Sequence, residues 1–96
     1  MLNASEILKA LKTHRQDLTE RFSVRRIGLF GSFLHGNQQD GSDIDILVEF
    51  DQPTFDHYMD LKFFLEDLLK RPVDLVIADT VKPRIKPAID REVAYA

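Results

Sequence analysis

Residues 42–50, Ser-Asp-Ile-Asp-Ile-Leu-Val-Glu-Phe, alternate polar and apolar side chains over most of their length. On a strand, Ile44, Ile46, Val48 and Phe50 fall on one face, as a half-buried strand requires, and Asp43, Asp45 and Glu49 fall on the other. Two residues along a strand advance roughly 6.6–7 Å, so Asp43 and Asp45 can converge on one cation or a metal pair, whereas sequence neighbours point apart. A third carboxylate, Asp74, lies inside the apolar run Val73-Asp74-Leu75-Val76-Ile77. There an ionised side chain is costly without a cation or a hydrogen-bond partner. Mg²⁺ suits such a set, because it is held by one or two carboxylates while substrate phosphates complete its shell. Asp74 also fits a general base acting on an incoming hydroxyl.

Gly31-Ser32 supplies a second element. Ile27-Gly28-Leu29-Phe30 reads as a strand, and Ser32 is suited to N-cap a short helical turn through Phe33, Leu34 and His35 that Gly36 would end. A helix start reached through glycine offers free backbone N–H groups to a triphosphate with no Cβ in the way. Asp40 and Ser42 read first as turn residues with Gly41, and Ser42 could in addition orient Asp43. The expected chemistry is attack of a hydroxyl on the α-phosphorus of a nucleoside triphosphate, with release of pyrophosphate.

The Gly-Ser, Asp-x-Asp and later Asp pattern resembles the nucleotidyltransferase superfamily that includes DNA polymerase beta. More closely, the chain is similar to the minimal nucleotidyltransferases (MNT) encoded beside HEPN proteins in prokaryotic toxin–antitoxin pairs. The resemblance covers Ile27 to about Ile77, and the chain departs from many relatives at Leu34 and His35, where those carry small and basic residues. It implies an α+β fold with a small mixed sheet, with Asp43, Asp45 and Asp74 as catalytic metal ligands. Gly31, Ser32 and Ser42 would bind ATP, with one or two Mg²⁺ ions. The implied partner is a cognate HEPN ribonuclease toxin, joined as a hetero-oligomer and silenced when a tyrosine hydroxyl receives AMP. Two other readings are an antitoxin that masks its partner by contact alone, and nucleotide transfer to a small molecule.

Ninety-six residues make one domain, 1–96, with little room for a substrate-recognition module. A net charge of −3 argues against nonspecific nucleic-acid binding, which needs a basic surface. Lys82, Arg84, Lys86 and Arg91, and Arg25-Arg26, are local basic groups read as solvated surface, with partner contact as the alternative. There is no cysteine, hence no disulfide or thiolate site. No apolar stretch approaches the ~18 residues of a membrane span and no signal peptide is evident, so a cytoplasmic protein is expected.

The remainder reads as scaffold. Asn3 and Glu6 resemble a capping box, opening an amphipathic helix from residue 4 to about 20 with Ile7, Leu8, Leu11, Leu18 and Phe22 inward. A second helix spans about Phe55 to Leu69, turning Tyr58, Leu61, Leu65 and Leu68 to the sheet and Asp60, Glu66 and Asp67 to water, and Pro72 ends it. Asp79-Thr80 cap a further turn, and Pro83 and Pro87 break the C-terminal segment, with Ile85, Ile89 and Val93 inward. Phe33 reads as core. Glu49 at its strand end, and His35 and His57, read as exposed before they read as ligands. Tyr58 reads as core, and Tyr58 and Tyr95 are both candidates for modification by the chain's own chemistry.

Overall fold

The period-two strand at residues 44–50 becomes the second strand of a four-stranded sheet in a computed structural model that describes residues 2–39 and 41–96. The elements run α1 (Ala4–Thr13), α2 (Arg15–Phe22), β1 (Val24–Phe30), α3 (Ser32–His35), β2 (Ile44–Phe50), α4 (Phe55–Leu69), β3 (Val73–Ile77), a 3₁₀ turn (Ala78–Thr80), α5 (Lys86–Glu92) and β4 (Ala94–Tyr95). Strand order is β3-β2-β1-β4. The β1–β2 and β1–β4 pairs are antiparallel and β2–β3 is parallel, so the sheet is mixed, as expected.

One face of the sheet carries the core. Ile44, Ile46, Val48 and Phe50 of β2, with Val73 and Leu75 of β3, pack with Ile7, Leu11, Leu18, Leu61 and Leu65 from the helices. The parallel β2–β3 pair needs a crossover, and α4 supplies it. Thr54 caps α4 by accepting the His57 N–H at 3.1 Å. Leu61, Leu65 and Leu69 are buried, and Tyr58 donates its hydroxyl to the Leu75 carbonyl at 2.7 Å. Glu66, expected in water, accepts the Val73 N–H at 2.9 Å and ties the end of α4 to the start of β3. The helix stops at Lys70 in the left-handed conformation, two residues ahead of Pro72.

Three expectations need correction. The single N-terminal helix is two. Thr13 Oγ1 donates to the Lys9 carbonyl and His14 Nδ1 to the Ala10 carbonyl, both at 2.9 Å, and these competing bonds accompany the break at His14. Pro87 does not break the C-terminal segment but sits in the first turn of α5, where its missing N–H costs nothing. No residue of α5 is buried, and Ile85 is exposed while Ile89 and Val93 are half-buried. The turn expected at Asp40 lies outside the described residues.

Strand β4 was not expected, and glycine makes room for it. Gly28 pairs with Tyr95, and a Cβ there would lie 2.9 Å from the Ala94 carbonyl oxygen and 3.0 Å from Tyr95 Cδ1. Backbone cannot yield as a flexible side chain can. Gly28→Ala is therefore expected to expel β4 and lower stability by about 1–3 kcal/mol, the usual range for overpacking. Hydrogen exchange checks this: the Ala96 N–H, bonded to the Ile27 carbonyl at 2.9 Å, should lose protection while amides of β2 keep theirs.

Candidate active site

Asp45 and Asp74 are paired residues of adjacent parallel strands. They share the face opposite the core, on strands spaced about 4.8 Å apart. Asp45 is half-buried and Asp74 exposed. Burial pushes the Asp45 carboxyl above its ordinary range, and the charges of Asp74 and then Asp43 push it further; a hydrogen bond with Asp74 acts the same way, while the Ser32 backbone N–H pulls it down. Asp43 stands exposed just ahead of β2.

Gly31 is what lets the loop approach. Its φ is +76°, and a Cβ would collide with Asp45 Oδ2 and lie 2.8 Å from Asp45 Cγ. The expected freedom of this glycine is therefore spent against a carboxylate, which brings the Ser32 amide to Asp45. Gly31 also takes the N-cap position expected of Ser32, which is the first residue of α3; Gly36 ends that helix in the left-handed conformation, as expected. Phe33 is core, 2% exposed.

The remaining candidates are engaged elsewhere. Ser42 Oγ accepts the Gln39 N–H at 2.8 Å and the Ser42 N–H donates to the Gln39 carbonyl at 3.0 Å, so the residue closes a turn. Glu49 pairs with Arg26 at 2.6 Å and Arg25 with Asp51 at 2.8 Å, which accounts for both arginines. His35 Nε2 lies 3.8 Å from Glu92 Oε2, linking α3 to α5, and His57 Nδ1 contacts the Gln52 carbonyl at 2.7 Å. The Tyr95 hydroxyl is buried without a partner, under the Arg26 guanidinium 3.9 Å from the ring centroid, and is not offered as an acceptor. Arg71 was not singled out by the sequence; it reaches the Ser42 carbonyl at 3.2 Å.

Among the described residues, no group of three or more His, Cys, Asp or Glu side chains is arranged to hold a metal ion as it stands. The donor set nevertheless fits a hard divalent cation. All three candidates are carboxylates, and the mutual repulsion that raises Asp45 is what a cation between them would relieve. The face is open. A hollow of about 300 Å³, lined by residues that include Leu18, Val24, Arg25 and Tyr95, contains none of the three acids.

An α+β sheet with an aspartate pair in register across parallel strands, met by a Gly-Ser loop, is the architecture of a nucleotidyltransferase, and residues 11–95 match the nucleotidyltransferase domain family. The chain belongs to that family. Within it, the chain is 43% identical over 96 residues to the protein adenylyltransferase MntA of Thermococcus cleftensis, covering 99% of this chain and 97% of the relative. The fold is similar to a toxin–antitoxin crystal structure with AMP-PNP, with a TM-score of 0.71 and 27% identity over 98% of this chain and 72% of that one. It is also similar to a mutant MntA–HpeT toxin–antitoxin structure, with a TM-score of 0.68 and 26% identity over 100% and 72%. No helix among the described residues is long and apolar enough to cross a membrane.

Asp45 also sets a stability signature. Because its folded-state carboxyl is raised, the unfolded chain releases the proton first as pH rises, so ionised Asp45 costs stability above its folded titration and nothing in acid. Asp45→Asn keeps an oxygen for the Ser32 N–H and removes the charge. In EDTA at pH 7 the variant is expected to be more stable by up to about 1 kcal/mol in urea unfolding. The gain should shrink as pH falls and vanish below about pH 3, under the ordinary aspartate range, where the wild-type carboxyl is protonated in both states.

Proposed function

We propose that the chain is an Mg²⁺-dependent adenylyltransferase that moves AMP from ATP to a tyrosine hydroxyl of a cognate HEPN toxin, neutralising it as an antitoxin. The observation that carries this reading is the Asp45–Asp74 pair in register beside Asp43 and the Gly31-Ser32 loop. The full-length likeness to a protein adenylyltransferase supports the protein acceptor.

The proposed chemistry uses few protein groups. Asp43, Asp45 and Asp74 would hold one or two Mg²⁺ ions, which supply charge neutralisation at the triphosphate and polarise the attacking oxygen. Asp74, exposed at the sheet edge, accepts the proton of the acceptor hydroxyl. The acceptor oxygen bonds to the α-phosphorus as the bond from that phosphorus to the bridging oxygen breaks, and pyrophosphate leaves with that electron pair. The Gly31-Ser32 loop, free of side-chain bulk at Gly31, bounds the space for the phosphates. Such transfer depends mainly on positioning and electrostatics. An exposed site suits an acceptor carried on another protein's surface.

Intact mass of the partner from the neighbouring gene, after incubation with this protein, ATP and Mg²⁺, tests the proposal. One or more AMP increments are expected. The Asp43→Asn/Asp45→Asn variant should lose at least about 10²-fold in rate while still binding the partner. A stable complex with no increment would favour masking by contact.

A further inference from the structure

Asp43 is the least supported of the three carboxylates, since it precedes β2 and lies outside its ladder. Its backbone is nevertheless held from both sides by one short segment. The carbonyl of Ser42, on the near side, accepts from Arg71 Nη2 at 3.2 Å, and the N–H of Ile44, on the far side, donates to the Pro72 carbonyl at 3.0 Å. The Arg71 guanidinium also lies over the Phe33 ring, 5.1 Å from its centroid, and Phe33 belongs to the helix that follows Gly31. One half-buried side chain thus joins the Gly-Ser loop, the turn ahead of Asp43 and the entry to the strand that bears Asp74. The arrangement leaves Arg71 Nε buried with no hydrogen-bond partner. A buried unpaired donor weighs against the fold, and such a group calls for a purpose other than stability.

We infer that Arg71 is a positioning residue that fixes the Ser42–Asp43 peptide so that Asp43 completes the metal-binding set with Asp45 and Asp74. The inference rests on the proposed metal-dependent transfer. Arginine suits the task because its planar fork can stack on a ring and donate sideways at once, which a lysine ammonium cannot do. Groups that orient ligands without touching the metal commonly change metal affinity by 10–100-fold. Charge alone predicts the opposite sign, since removing a cation beside three carboxylates should tighten metal binding.

The test is a Mn²⁺ titration of the full chain followed by water-proton relaxation, with no nucleotide or acceptor present. Arg71→Gln is expected to weaken Mn²⁺ binding by about tenfold, although it removes a positive charge. Arg71→Lys, which keeps charge and one donor without the stack, should recover part of the loss, and carries the test alone if Arg71→Gln does not fold. Asp45→Asn serves as the control that loses the site. Unchanged or tighter binding in folded Arg71→Gln, or Arg71→Lys equal to wild type, would overturn the role of Arg71 and leave the transferase reading standing. Failure of the wild type to bind Mn²⁺ would overturn the metal site, and this role with it.

Discussion

The parallel pairing of β2 with β3 is the constraint on which the rest of the molecule depends. It sets Ile44 opposite Val73 and Ile46 opposite Leu75 on the core face, and the same register sets Asp45 opposite Asp74 on the other. A slip of one residue would turn the acids into the core and the aliphatic side chains out, so apolar burial polices the geometry of the carboxylates. Two ionisable groups that repel each other are thereby kept adjacent by a hydrophobic pattern indifferent to their charge. Positioning and folding use one set of contacts, with α4 and the Glu66 bond to Val73 holding the crossover in place.

Strand alternation made much of this legible. Period two is a local signal, and it gave β2 with its buried face, and the buried flanks of Asp74, without any tertiary knowledge. The α4 boundaries were equally readable, because a long apolar stripe and the proline beyond it agree with each other. What escaped was nonlocal. The closeness of Gly31 to Asp45 arises because β1 pairs with β2 through Phe30 and Asp45, and nothing beside Gly31 in the sequence announces it. Arg71 reads as an ordinary charged residue after a helix, and only the fold brings it to Ser42 and Phe33.

The C-terminal segment shows a different limit. Strand β4 has two residues, too few for any periodicity, and its existence turns on the missing side chain of Gly28. The helix before it buries no residue, so amphipathic spacing there was a poor guide: Ile85 at 47% exposure sits where a stripe of Ile85, Ile89 and Val93 predicted core. The break at His14 is similar in kind. Side chains there compete for helix carbonyls, and a hydrophobic stripe continues across such a break because both helices pack on the same sheet.

The open face bears on specificity. Asp43 and Asp74 are exposed while Asp45 is half-buried, so two of the three carboxylates stand at the surface. The exposed cations Lys82, Arg84, Lys86 and Arg91 have no ion-pair partner among the described residues, unlike Arg25 and Arg26, and His35 of α3 reaches Glu92 of the same C-terminal segment. The lightly packed C-terminal element thus combines exposed charge with a contact to the helix that follows Gly31. In a domain this small, the apolar residues that build the core are the same ones that register Asp45 against Asp74, and the unpaired cations are left to the periphery.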